Sequence, residues 1–471
     1  MKNRRITLIA RLVVLACSGL SIEARAVTPA PDGCYSLFTT AEGCNALEFL
    51  TTGVGNTAVG WYSLSNTDSN SFNTGLGAGA LCLNIGDANT AVGTAAMLNN
   101  FSGFENVANG YQALLYNTTG SYNNALGAFA LYFNMDGSFN NAVGNQALAQ
   151  NVHAGNNTAI GDLALATNDY LGDNVAYFNT AVGAQALYSN VDGNSNTAVG
   201  WQALYYNDNN CGNNDCGSFN TATGGFALFS NVSGARNTAI GYSALSGAKG
   251  ESSVNDNTAV GFQALFNNFE GNRNTAVGVN AGSNISGASN VICIGANVAG
   301  ANTPDTCFIG NIRGVTTINN DAIPVRIDSA GQLGTESSSR RYKTDIKPIE
   351  KASESILSLK PVSFRYKIHK DSTPNFGLIA EEVARVNPDL VIFGPDGKPY
   401  TVRYEAVNAM LLNEFLKEHR RVENQESRIE RQEATIAQQQ KQIDTLTAGL
   451  NRVSAELELS KSAPQTVLNN Q

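Results

Sequence analysis

The chain has 471 residues, with 30 Lys and Arg against 39 Asp and Glu and a formal net charge of −9, a length that allows two to four domains. Charge is unevenly spread: Val27 to Ser337 holds 20 acidic and 5 basic residues, while Ser338 to the end holds 18 acidic and 20 basic. So acidic a first part excludes nucleic acid as a partner, because phosphates need a basic surface.

Residues 1–26 read as a secretory signal peptide. Lys2, Arg4 and Arg5 form the basic start, Ile6 to Leu20 the apolar stretch, and Ala24-Arg25-Ala26 the small-residue cleavage site. The apolar run holds Arg11 and falls short of the about 20 residues that a spanning helix needs. A rival reading takes Val14-Leu15-Ala16-Cys17 as a lipoprotein site with the anchor on Cys17. Either way the expected location is outside the cytoplasm, secreted or on the surface of a bacterium. Cys34, Cys44, Cys82, Cys211, Cys216, Cys293 and Cys307 then remain. In an exported protein they are disulfide candidates, and Cys34–Cys44, Cys211–Cys216 and Cys293–Cys307 are the natural local pairs. Cys82 is left over and is expected to be a buried thiol. With His153, His369 and His419 as the only histidines and no paired CxxC, neither a metal nor another cofactor is expected.

Residues 27–52 read as an N-terminal cap, and 53–312 as internal repeats. The phrase Asn-Thr-Ala-Val-Gly or a variant places its Gly at 60, 77, 93, 110, 127, 144, 161, 183, 200, 224, 241, 261 and 278, with degenerate copies at Gly295 and Gly310. Most steps are 17 residues; steps of 22, 24 and 20 carry insertions, the largest containing Cys211 and Cys216. Four residues before each of the thirteen good Gly positions stands Asn, from Asn56 to Asn274. Three after the Gly comes Ala or Ser, and four after it usually Leu, as in Leu114 and Leu131. Such a unit cannot bury its apolar positions alone, but stacked coils can. The expectation is a β-solenoid with a thin Ala/Val/Leu core, an inward Asn ladder, and Gly and Asn at the positive-φ corners. The phrase resembles the repeat heads of trimeric autotransporter adhesins and the stalks of bacterial and phage fibres. That resemblance is compatible with adhesion to a host-cell or surface ligand, and equally with a spacer.

Residues 313–337 follow as a β-stalk or linker, since Ile323-Pro324-Val325-Arg326-Ile327-Asp328 alternates like a strand. Composition then changes at Ser338-Ser339-Arg340-Arg341-Tyr342-Lys343. Four blocks come after it: Leu359-Lys360-Pro361-Val362-Ser363-Phe364-Arg365-Tyr366, Phe376-Gly377-Leu378-Ile379-Ala380-Glu381-Glu382-Val383, Asn387-Pro388-Asp389-Leu390-Val391, and Val402-Arg403-Tyr404. In this order they resemble the intramolecular chaperone domain of phage endosialidases and tail fibres, a self-cleaving serine peptidase family. The resemblance covers about 338–420 and implies a domain, placed at 338–416, that trimerises, guides folding of the fibre ahead of it, and cuts itself off. It puts the nucleophile on Ser338, the lysine base on Lys343 and the cleavage site between Ser337 and Ser338. A hydroxyl needs such a base, and a lysine can serve when burial lowers its pKa. Ser339 stands where the family usually has Asp, and Tyr342 where it has Leu, which leaves Ser337 and Ser339 as alternative registers; the five-residue spacing to Lys343 favours Ser338.

From Phe415 the apolar positions recur every seven residues, at Val422, Ile429, Ile436, Ile443, Leu450 and Leu457, the seam of a coiled coil placed at 417–459. Gln425, Gln432, Gln439, Leu446 and Val453 form its second row. Residues 460–471 read as a disordered tail. The fold class expected is mainly β: a solenoid, a small α+β chaperone domain and a coiled coil, in a homotrimer. The function expected is an exported fibre that releases its own chaperone. The alternative is an adhesive or structural fibre that retains it as a foot. An enzyme acting on external polysaccharide is disfavoured, because the repeats hold no paired carboxylates at fixed spacing.

Overall fold

The computed structural model describes residues 36–207, 216–248, 254–319, 321–367 and 373–460. It divides into two units, Met1–Ile318 and Asn319–Gln471. The signal-peptide and lipoprotein readings, Cys34, Cys211 and the tail beyond Ser460 lie outside the described residues.

The first unit is a β-solenoid whose coils each contribute one three-residue strand to a 16-stranded sheet. Neighbouring strands are parallel and in register, as in Asn124↔Asn141, Ala125↔Ala142 and Leu126↔Val143. Sixteen strands at about 4.8 Å spacing make a stack roughly 75 Å long. Strand alternation sends the central Ala inward, so Ala91, Ala108, Ala125 and Ala142 are all fully buried. The flanking Thr and Val positions face outward.

Across the coil from the strand, Leu114, Leu131 and Leu148 complete the core at 0% exposure. Each has a left-handed backbone, with φ of 52°, 51° and 52°. That conformation costs a β-carbon-bearing residue about 1–2 kcal/mol, against about 2 kcal/mol gained by burying the side chain. The near balance is tipped by hydrogen bonding between coils: Leu131 N–H donates to the Ala147 carbonyl at 2.9 Å, and Phe133 N–H to that of Ala149 at 2.9 Å.

The invariant Gly has a separate cause. At Gly127 φ is +137°, and a β-carbon there would lie 2.3 Å from the Gly144 carbonyl oxygen of the next coil. Other members of the column make the same close approach, so no side chain fits.

All thirteen Asn residues are buried, and their ladder extends the sheet by one residue. Asn106 N–H donates to Asn89 Oδ1 at 3.0 Å, Asn123 N–H to Asn106 Oδ1 at 2.9 Å, and Asn140 N–H to Asn123 Oδ1 at 2.9 Å. Each amide nitrogen is used as well, as when Asn106 Nδ2 donates to the Gly120 carbonyl at 2.9 Å. A second ladder of Asn100, Asn117, Asn134 and Asn151 runs beside it, with Asn117 Nδ2 reaching Asn100 Oδ1 at 2.6 Å and the same Gly120 carbonyl at 2.9 Å. These ladders satisfy polar backbone that a thin core would otherwise leave unpaired.

Three expectations are corrected. The positive-φ corners hold Asn only in places, such as Asn156 and Asn290, and none of them is a ladder Asn; beyond the Gly column Leu takes the largest share, with Phe and Gln also present, such as Leu131, Phe139 and Gln146. The stack also begins one coil early: Thr40–Glu42 pairs with Thr57–Val59, and Thr39 stands where the Asn would, which hides this coil in the sequence. Finally, Cys44, Cys293 and Cys307 are free thiols, so Cys34–Cys44 and Cys293–Cys307 are not formed. Cys293 occupies the inward centre of its strand and Cys307 the outward first position of the next, on opposite faces of the pleat. Cys216 is disulfide-bonded, and Cys82 is buried as a thiol.

The second unit opens with an antiparallel hairpin, Val325–Ile327 with Leu333–Thr335. Asp328 Oδ1 closes its turn by accepting from Ala330 N–H and Gln332 N–H, each at 2.9 Å. A 3-10 turn (Arg340–Tyr342) and a longer 3-10 helix (Glu350–Ser358) follow. Two more antiparallel pairs flank the helix Ala380–Val386: Val362–Phe364 with Asn375–Gly377, and Val391–Phe393 with Pro399–Val402. The core is small, with Val383, Leu390, Val391 and Val402 buried and Leu359, Leu378 and Met410 packed against them. A helix of 57 residues, Tyr404–Ser460, about 85 Å long at ~1.5 Å per residue, ends the described chain.

Candidate functional site

The residues around the composition change are sorted by hydrogen bonding into distinct roles. Ser339 is the N-cap of the 3-10 turn, its Oγ accepting from Arg341 N–H at 3.4 Å and from Arg341 Nε at 3.4 Å. Ser337 Oγ accepts from Ser339 N–H at 3.2 Å, which braces the chain just ahead of the turn. Ser338 is the one of the three serines that Lys343 meets, Nζ donating to Oγ at 3.4 Å. One turn of 3-10 helix flanked by extended residues brings these two side chains together across five positions. Both are exposed in the single chain.

This division bears on Ser339, where the resembling family has Asp. Ser and Asp are about equally good N-caps, so the replacement keeps the turn that sets the Ser338–Lys343 distance. Tyr342 is exposed at 69%, with the Arg341 guanidinium 5.5 Å from its ring centroid.

The downstream sequence blocks meet one another in space. Leu378 N–H donates to Tyr404 Oη at 3.0 Å, and a β-carbon on Gly377 would lie 2.7 Å from that oxygen. Gly377 therefore makes room for the tyrosine that starts the long helix. Asn387 caps the Pro388–Leu390 turn through Asp389 N–H at 3.0 Å and reaches Ser355 Oγ at 3.3 Å.

A polar cluster that the sequence did not reveal pins the Glu350–Ser358 helix to the long one. Ser353 is fully buried; its hydroxyl donates to Glu414 Oε1 and accepts from Asn413 Nδ2 at 2.7 Å. Lys417 Nζ donates to Glu414 Oε1 at 2.7 Å and to Glu354 Oε1 at 3.4 Å. Hydrogen bonds from Lys417 and then Ser353 hold the Glu414 carboxyl below the usual range, and the bond to Glu414 pushes the Lys417 ammonium up. The members lie some sixty residues apart, without periodicity, and so left no sequence signal.

A second unforeseen contact involves Arg326 of the hairpin. Its Nε lies 3.1 Å from Glu336 Oε2 and its Nη1 3.2 Å from Glu405 Oε1 on the first turn of the long helix.

Residues 338–392 match the peptidase S74 family model, described as the chaperone of endosialidase. The match begins at Ser338 itself. No curated protein and no solved structure matches the chain significantly.

Proposed function

We propose that this protein is an exported homotrimeric fibre whose C-terminal segment drives trimer folding and is then released by one cut between Ser337 and Ser338. The observation that carries the cut is the Lys343 Nζ to Ser338 Oγ contact of 3.4 Å at the first residue of the family match. The chemistry needs no other reagent than water. Neutral Lys343 takes the Ser338 hydroxyl proton while Oγ attacks the Ser337 carbonyl carbon. The C–N bond then breaks, the freed amine of Ser338 takes a proton, and Ser337 is left as an ester on Oγ. Water hydrolyses that ester to the Ser337 carboxylate and restores the hydroxyl.

Trimer formation is supported by what the second unit leaves uncovered. Ile429, Ile436, Ile443 and Leu450 on the long helix are 52%, 62%, 53% and 72% exposed. A seven-residue apolar row at such exposure fits a coiled-coil seam. Exposure of Ser338 and Lys343 in the single chain fits a cut that waits for assembly, because burial is what lowers a lysine's pKa.

The test is to express the full chain and follow its mass. A C-terminal fragment of 134 residues, 338–471, is expected, and Ser338→Ala or Lys343→Ala abolishes it while Ser339→Asp keeps it. An intact wild-type trimer would overturn the cut and favour the second reading, a fibre that retains its chaperone segment as a foot. A chain that stays monomeric would overturn both.

A further inference from the structure

We propose that Arg326 is a positioning residue for self-cleavage, and that its ion pair with Glu405 latches the two sides of the cut together. This rests on the cleavage reading above. Arg326 and Glu336 lie on the fibre side of the Ser337–Ser338 bond and Glu405 on the chaperone side, so the Arg326–Glu405 pair of 3.2 Å spans the bond to be broken.

The scissile segment lies between a braced hairpin and a capped turn. Upstream, Arg326 pairs with Gly334 in the hairpin register, and its Nε reaches Glu336, two residues before the nucleophile. Downstream, Ser339 caps the turn that carries Lys343. Glu405 is itself fixed, since the adjacent Tyr404 accepts from Leu378 N–H and anchors the helix start to the chaperone core. An acidic residue in the first turn also suits the helix dipole. The planar fork of Arg is suited to engaging two carboxylates at once, which a lysine cannot do in the same geometry. The bond to be cut lies between the hairpin, which Arg326 ties to Glu405, and the turn that Ser339 caps.

Arg326 is 47% exposed and Glu405 49%, so the pair has the strength of a surface ion pair and its effect is modest. The test measures the first-order rate of appearance of the 338–471 fragment in the full chain. R326Q and E405Q are each expected to slow cleavage about threefold, and R326Q/E405Q to slow it no further than either alone. In wild type, 1 M NaCl slows cleavage by a similar factor and leaves R326Q unchanged. The pH profile of the rate is unmoved, because Lys343 is untouched. Amide exchange is measured in parallel in uncleaved Ser338→Ala chains, where R326Q is expected to speed exchange at Glu336–Ser339 about threefold. Wild-type rates in R326Q, or multiplied effects in the double variant, overturn the positioning role. Unchanged amide exchange overturns the latch whatever the cleavage result. If exchange responds but wild type never cleaves, the latch stands and the cleavage reading, with the positioning role, falls.

Discussion

The solenoid and the C-terminal unit solve the same problem in opposite ways. In the solenoid each coil supplies what its neighbour lacks: a strand edge, an Asn carbonyl for the next amide, an Ala and a Leu for the core. Its largest fully buried side chains are the Leu and Met of one column, Leu64 through Leu265. The C-terminal unit buries four apolar side chains in its core and leaves a row of aliphatics on the long helix uncovered. A repeat closes its hydrogen bonds within one chain by translation, whereas a single long helix has no neighbouring coil to cover its apolar face.

Substitutions can break this contrast. The largest effect is expected from Gly127→Ala, which adds both a clash with the Gly144 carbonyl and a strained φ. A loss of about 3 kcal/mol or more is expected, read as local loss of amide-exchange protection in the flanking coils. Asn123→Ala comes next. It removes the acceptor of Asn140 N–H and the donor to the Gly137 carbonyl, at about 2–3 kcal/mol, measured by denaturant unfolding. Both losses should be independent of protein concentration. A concentration-dependent loss would mean that the solenoid, too, relies on neighbouring chains.

In the second unit, Ser353→Ala removes the buried hydroxyl shared by Glu414 and Asn413 and is expected to cost about 1–2 kcal/mol. The clamp has a pH signature with two signs. The Glu414 pKa is lowered in the folded chain, so its contribution is complete above the ordinary carboxylate pKa and lost as pH falls through the lowered value. The Lys417 pKa is raised, so its contribution is complete below the ordinary lysine pKa and lost as pH rises through the raised value. Far-UV and near-UV titrations of wild type and Glu414→Gln check this: the acid limb should vanish in the variant. The smallest effect within one chain is Ile436→Ala, where the side chain is 62% exposed, below about 0.5 kcal/mol. In an assembled coiled coil the same change should lower the midpoint markedly and make it concentration-dependent. Sedimentation and thermal melts at two concentrations decide between these.

Much of this molecule was legible because repetition turns three-dimensional constraints into columns. The Gly column marks where backbone meets backbone, the Asn column where side chains replace a strand partner, and the Ala and Leu columns the core. The heptads marked the apolar face of the final helix in the same manner but not its start at Tyr404, and ordered blocks of sequence pointed to Ser338 and Lys343. What resisted reading were pairings without a period. The coil at Thr40 was hidden by one lost Asn. Cys293 and Cys307 looked like a pair until the pleat set them on opposite faces. Ser353 with Glu414, and Arg326 with Glu405, join residues far apart in the chain, and only the folded backbone brings them together. The run of three serines shows the division most sharply. Sequence placed a lysine five residues from one of them, and the 3-10 turn gave each hydroxyl a different partner. A local spacing survives in sequence because the chain itself carries it. A cap, a clamp and a latch depend on directions that the chain acquires only when it folds.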